Sequence, residues 1–213
     1  KTTTPTSNES PTWTWNTNED VVEYEIILDS VSQGKKSDAT FTASDLSEGS
    51  HELKVRARDS VGNWSAYGSH VVVIDTTSPF DPQPSTHTPT NNNSPIWSWS
   101  ANPDVVEYEI TLDSVILGTQ SETTFSMPSL TDGNHELKVR AKDSVGNWSA
   151  YGIHVVKIDT QPPTIPTPTT SSPVNNTNPV WSWSQDDDVV EYEVILNDVV
   201  QTNQTQTLFT ATG

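Results

Sequence analysis

The sequence has no cysteine and a single methionine among its 213 residues. Without thiols there is neither a disulfide framework nor a thiolate metal site, so packing, with or without a hard cation such as calcium, must hold any small module together. Basic residues are scarce as well: 10 Lys and Arg stand against 28 Asp and Glu, a formal charge of −18. That balance excludes nucleic acid as a partner, because a phosphate backbone demands a positive face, and it suits solubility in a salty exterior. No run of about 18 apolar residues occurs, so no membrane-spanning segment is expected. Lys1 opens directly on a polar Thr/Pro stretch without a leader pattern, so any secretory leader is expected to lie outside this sequence. Apolar residues make up 31% of the chain, but eight Trp, five Tyr and four Phe are among its residues. What burial there is must concentrate in large rings, as it does in small β-sandwiches.

A fixed repeat organises the rest. Trp13, Trp97 and Trp181 stand 84 residues apart, as do Asp59 and Asp143, Asp75 and Asp159, and the series Phe41, Phe125 and Phe209. Whole strings recur in the same register. DVVEYEI starts at Asp20 and Asp104 and returns as DVVEYEV at Asp188; HELKVRA starts at His51 and His135; DSVGNWSAYG starts at Asp59 and Asp143. Identity at this level makes one unit the template for all three. The repeats run over residues 1–79, 80–163 and 164–213, and the third stops before the counterparts of HELKVRA and DSVGNWS, so it is read as incomplete. Thr/Pro/Asn/Ser stretches at 76–94 and 160–178 lie between them. Their prolines favour extended backbone and resist helix, so they read as linkers merging into first strands.

Within one repeat the apolar period is two. Trp13 and Trp15 share a parity, as do Val22, Tyr24, Ile26 and Leu28, and again His51, Leu53, Val55 and Ala57, which is the pattern of half-buried strands. The opposite parity carries Glu23 and Glu25 on one strand and Glu52, Lys54, Arg56 and Arg58 on another, suited to a sheet with one wet face and a cross-strand ladder of charges. Glycine-containing turns at 32–34, 47–49 and 61–63 separate the runs. The fold class expected is all-β: tandem sandwich modules of about seven short strands, arranged end to end.

The order of these features resembles a fibronectin type III domain, and equally the Ig-like repeats of large bacterial surface adhesins. The matching positions are an early-strand Trp, Tyr-x-Ile/Val, Thr-x-Phe, Leu-x-x-Gly-x-His-x-Leu-x-Val-x-Ala and Gly-Asn-x-Ser, with Val-Val-Val-Ile-Asp75-Thr-Thr-Ser-Pro closing the unit. The type III pattern usually has Tyr where this chain has His51 and His135, so the corner hydrogen bond made by that tyrosine would have to come from an imidazole N–H. Both full repeats and half of the third carry the resemblance. It implies an extracellular, cell-surface setting and a structural role: serial modules that project a binding head or build a filament, with neighbouring repeats and like chains as partners. The strand rise sets the length added per module at about 35–45 Å. A spacer of a secreted hydrolase or of an S-layer protein is the alternative context.

Candidate sites are few. Carboxylates near turns and module ends, Asp20, Asp29, Asp59 and Asp75 with Asp104, Asp113, Asp143 and Asp159 repeating them, are oxygen donors of the kind calcium takes. No compact D-x-D-x-D-G loop supplies about six to eight oxygens from one segment, so a calcium site would have to be assembled at module junctions. Asp59 also has a simpler role, capping the amides of its own Ser-Val-Gly-Asn turn. The aromatics Trp64 and Tyr67, with Trp148 and Tyr151, sit at the turn into the last strand and are candidates for glycan or host-protein contact. Trp13 and Trp15 read as core. No nucleophile elbow, phosphate-cradling glycine loop or metal-type His pair is present, so no enzyme activity is expected.

Overall fold

The computed structural model describes residues 4–171 and 177–211, and among these there is no helix. The first repeat forms β1 (Thr12–Thr14), β2 (Val21–Leu28), β3 (Val31–Lys36), β4 (Thr40–Thr42), β5 (Gly49–Asp59) and β6 (Gly68–Ile74). The second reproduces them 84 residues on as β7 (Ile96–Ser98), β8 (Val105–Leu112), β9 (Val115–Gln120), β10 (Thr124–Ser126), β11 (Gly133–Asp143) and β12 (Gly152–Ile158). In the third, β13 (Val180–Ser182), β14 (Tyr192–Leu196), β15 (Val199–Gln204) and β16 (Leu208–Thr210) follow the same order. The chain divides into two compact units, Lys1–Asp159 and Thr160–Gly213.

Each full repeat is a two-layer sandwich. A four-stranded sheet in the order β3-β2-β5-β6 faces the pair β1-β4, and β9-β8-β11-β12 faces β7-β10 in the same way. A further segment precedes each set and serves as a seventh strand. Thr6 pairs in parallel with Ile74, and Thr90 with Ile158, while Ser85 bridges Ser98 on the opposite sheet. Both segments contain a cis Thr–Pro peptide bond, Thr4–Pro5 and Thr88–Pro89.

Alternation along the strands decides which residues enter the core. Trp13 and Phe41 from the two-stranded sheet meet Ile26, Leu28, Leu53, Val72 and Ile74 from the four-stranded one. In the second repeat Trp97 and Trp99 join Ile110, Leu137, Val139, Val156 and Ile158. The expected parity fails at one place. Val22 shares the phase of Tyr24 and Ile26 yet is 51% exposed, because the register of β2 against β5 shifts between Val21 and Glu23. A bulged residue leaves the alternation of its strand.

The β2–β3 hairpin turns on Asp29 and Ser30, with φ of 49° and 68°, and Asp113 and Ser114 repeat this at 48° and 67°. Two consecutive left-handed residues make the type I′ turn whose twist matches antiparallel strands, and short polar side chains tolerate it best. In the third repeat Asn197 and Asp198 take the same place, with φ of 52° and 63°. That unit keeps the ring contacts of the others, Trp181 with Phe209 at 6.1 Å and Trp183 with Tyr192 at 5.4 Å between centroids. Both tryptophans remain half-buried there.

Candidate functional site

The wet face of each four-stranded sheet carries a stack of cations and rings. Arg56 on β5 lies between Trp64 and Tyr67, its guanidinium carbon 4.5 Å and 4.8 Å from the two ring centres. Its Nε donates to Glu25 on the neighbouring β2, and the Tyr67 hydroxyl donates to the same carboxylate at 2.6 Å. Lys35 and Arg58 add two more cations, 4.9 Å and 5.7 Å from the Trp64 ring centre. The second repeat builds the same stack. Arg140 sits 4.4 Å from Trp148 and 5.0 Å from Tyr151, grips both oxygens of Glu109 at 2.9 and 3.0 Å, and Tyr151 donates to Glu109 at 2.6 Å. Such cation–ring contacts contribute about 0.5–2 kcal/mol each. The Tyr67 hydroxyl, then Arg56, hold the Glu25 carboxyl below its ordinary range; for Glu109 the order is Arg140, then Tyr151. The candidate ligand-contacting aromatics are thus placed together in each repeat, with arginine already occupying a face of each ring.

The expected charge ladder is present with one change of partner. Glu23 pairs with Arg58 and Lys35, and Glu25 with Arg56, across adjacent strands, whereas Lys54 turns to Glu52 on its own strand at 3.0 Å. Pairs at this exposure are worth little individually, so the ladder sets strand register more than it adds stability.

The candidate calcium carboxylates do not converge. Among the described residues no three His, Asp or Glu side chains gather at one point. Asp59 caps its own turn, accepting from the amides of Val61 and Asn63 and from the Asn63 side chain at 2.7–3.1 Å. Asp143 is buried and accepts from the amides of Val145, Gly146 and Asn147 and from the Asn147 side chain. Oxygens turned toward N–H donors are not turned toward a cation. Burial alone would raise the Asp143 carboxyl, but these donors, the Asn147 amide first, bring it below its ordinary value. Asp75 accepts from the Thr77 amide at 3.2 Å, and Asp159 lies 3.7 Å from Lys157. Asp20 and Asp104 stand in the turns before β2 and β8, where their backbone amides bond to Asn18 and Asn102.

Asp29 and Asp113 have another task. His51 Nδ1 lies 2.6 Å from Asp29 Oδ2 and its Nε2 lies 2.8 Å from the Ser47 carbonyl; His135 repeats this with Asp113 at 2.7 Å and Thr131 at 2.8 Å. A carbonyl only accepts, so Nε2 carries a proton, and a doubly protonated ring satisfies both partners. The other oxygen of Asp29 accepts from the Glu52 amide at 2.8 Å, tying the β2–β3 hairpin to β5. The imidazole therefore supplies the corner bond that the type III pattern assigns to tyrosine. Bonding to Asp29 raises the His51 pKa above its ordinary 6.5, against the opposing effect of burial. Burial would raise Asp29, but His51 and the Glu52 amide bring it below 3.8. A raised histidine contributes stability that is full below about 6.5 and lost as pH rises through its folded value. A depressed carboxylate contributes stability that is present above its unfolded pKa, near 4, and lost as pH falls through its folded value. The urea midpoint of the protein is therefore expected to fall between pH 6 and pH 9, and the double variant His51→Gln, His135→Gln should flatten that slope. An unchanged slope in the variant would remove the imidazoles as its cause.

A third cluster lies where the first repeat meets the second. Glu48 accepts from the Thr76 amide and from the hydroxyls of Thr76 and Thr77 at 2.7–3.0 Å. Asn147 Nδ2 donates to the carbonyls of Asp75 and Thr77 at 3.0 and 3.3 Å, and the Ser7 hydroxyl donates to the Val145 carbonyl at 3.2 Å. The turn capped by Asp143 thus docks on the exit of β6. Nothing in the sequence of a single repeat signals that Asn147 contacts the previous one.

No protein-family model matches the chain. An alignment of 123 positions, covering 52% of this chain, is 32% identical to part of chitinase A1 of Niallia circulans, and it spans 18% of that protein's length. Among solved structures, the fibronectin(III)-like modules of Clostridium thermocellum CbhA align over 73% of this chain and 87% of theirs at 15% identity, with a TM-score of 0.43. The central fibronectin-III array of RIM-binding protein aligns over 86% of this chain and 77% of its own at 16% identity, with a TM-score of 0.30.

Proposed function

We propose that these repeats are non-catalytic spacer modules of an extracellular multidomain protein, holding other domains at a set separation. The observation that carries this reading is the bonded junction between the first two repeats. Glu48 fixes Thr76 and Thr77, and Asn147 then fixes the carbonyls on either side of them. A linker pinned from both sides limits bending far more than a free polar chain of equal length. The aromatic stacks support the same reading, because Trp64 and Trp148 are engaged by the arginines of their own repeats. The partial likeness to chitinase A1 favours the spacer of a secreted hydrolase as the context. A surface adhesin stalk would use the same junction.

Spin labels on the exposed faces of β3 and β9 in the full chain test the reading. A single narrow distance distribution is expected, broadening in the double variant Glu48→Ala, Asn147→Ala. A broad distribution in the parent protein would end the proposal.

A further inference from the structure

Near-identical repeats draw attention to the places where they differ, and one of these is the turn between β7 and β8. Ala101 and Pro103 stand where the first repeat has Thr17 and Glu19 and the third has Gln185 and Asp187, so only the second repeat is apolar at both positions. Phe80, in the linker before β7, stands where the linker before β13 has Thr164. There the linker is tied to its turn: the Thr164 amide donates to Asp186 at 2.9 Å and the Thr164 hydroxyl donates to the same carboxylate. Phe80 cannot make that bond to Asn102, the counterpart of Asp186, and its ring is 88% exposed. Linker and turn are left with an open cleft of about 440 Å³ between them, walled by Phe80, Ala101 and Pro103 and floored by Tyr108. Its walls lie inside the compact unit Lys1–Asp159, and its volume falls within the range of small-molecule sites, about 300–1,000 Å³.

The rim of the cleft supplies acceptors and donors together. Asp81 accepts through its backbone carbonyl from the Gln83 side chain at 3.4 Å, and Asp104 donates its backbone N–H to Asn102 Oδ1 at 3.1 Å; among the described residues neither carboxylate has a partner of its own. The Asn102 backbone N–H donates to the Tyr108 hydroxyl at 3.4 Å, so the side-chain N–H groups of Asn102 remain for a ligand. Two carboxylates without a cation repel an anion. A cation would satisfy the carboxylates and leave the amide donors unmatched, whereas hydroxyl groups donate to the first and accept from the second. The exposed face of Phe80 offers a flat apolar platform beside them. The ligand that meets all three conditions is uncharged, rich in hydroxyls and apolar on one flat face, which describes a pyranose ring.

We propose that the cleft between Phe80 and the Ala101–Asp104 turn of the second repeat binds a neutral saccharide, with the Phe80 ring stacked on a pyranose and Asp81, Asp104 and Asn102 taking its hydroxyls. The site goes beyond a spacer role and does not depend on it. The full chain is titrated with hexamers of β-1,4-linked glucose and of β-1,4-linked N-acetylglucosamine, following ring and side-chain amide resonances. With at least one of the two sugars, saturable shifts are expected at Phe80 and at the Asn102 side chain, with Trp64 and Trp148 unmoved. A hexamer of galacturonic acid should produce no shifts, because its carboxylates meet those of Asp81 and Asp104. Phe80→Thr places at this position the residue that the third repeat carries, so it should fold as the parent does and bind about tenfold more weakly. Absence of saturation with both neutral sugars, binding undiminished in Phe80→Thr, or shifts centred on Trp64 and Trp148 would each overturn the proposal. The map of shifts uses the parent protein and so decides the matter even where the variant fails to fold.

Discussion

Replacing Trp97 by alanine is expected to unfold the second repeat at room temperature or leave it barely folded. The ring is 0% exposed, stacks on Phe125 with centroids 6.1 Å apart, and belongs to a core holding only ten buried residues. Truncating a buried Trp or Phe costs about 3–5 kcal/mol, against about 5–15 kcal/mol for a whole domain. In a core this small few neighbours can collapse into the space. The first repeat has its own core around Trp13, so urea unfolding followed by near-UV circular dichroism should split into two transitions. Trp181→Ala should have a smaller effect, since that ring is only half-buried. One cooperative transition at the parent midpoint in Trp97→Ala would show that the ring is not the centre of its core.

Gly152→Ala should be the second most damaging change, although it adds a single methyl group. The new carbon would lie 1.6 Å from the Pro82 carbonyl oxygen and 2.7 Å from the Pro82 carbonyl carbon. Backbone atoms cannot rotate away as a side-chain tip can, so either β12 shifts or the Pro82–Pro84 segment lifts off. Overpacking of this kind costs about 1–3 kcal/mol, and lifting the segment would also expose Trp99, Val139 and Ala141. The matching change Gly68→Ala meets its nearest neighbour at 3.9 Å and should stay within about 0.5 kcal/mol of the parent. Denaturant midpoints of the two variants, with limited proteolysis near Pro82, make the comparison. Equal losses would contradict the close packing of Pro82 against Gly152.

Much of this architecture was legible in the chain because a spacing of 84 lets positions late in the unit be read twice and the earlier ones up to three times. The alternation Tyr24, Ile26, Leu28 and Leu53, Val55, Ala57 named the inward faces, and period two is a local property of the strand. What sequence could not supply were contacts between neighbouring strands and turns. Asp29 and Asp113 were candidate calcium ligands because turn carboxylates are the usual donors, yet they face His51 and His135, which lie 22 residues on and become neighbours only when β2 pairs with β5 and β8 with β11. The departure from tyrosine at those histidines was the signal available. Trp64 read as a candidate ligand contact because nothing in the local pattern shows that the chain turns back and lays it on Arg56 of the preceding strand. Val22 was misplaced because a bulge leaves no mark in apolar periodicity.

The nine described lysines and arginines all lie on β3, β5, β11 and β12, and eight of them sit in ion pairs with carboxylates of their own repeat. Positive charge is thereby neutralised internally, and an approaching molecule of the same kind meets an excess of acid. In dilute buffer, where the Debye length is tens of ångströms, copies of this chain should hold one another apart. In molar brine, where it shrinks to about 3 Å, that colloidal barrier vanishes while the short contacts within each repeat persist, leaving exposed side chains such as Phe80 and Ile165 to govern whether molecules adhere.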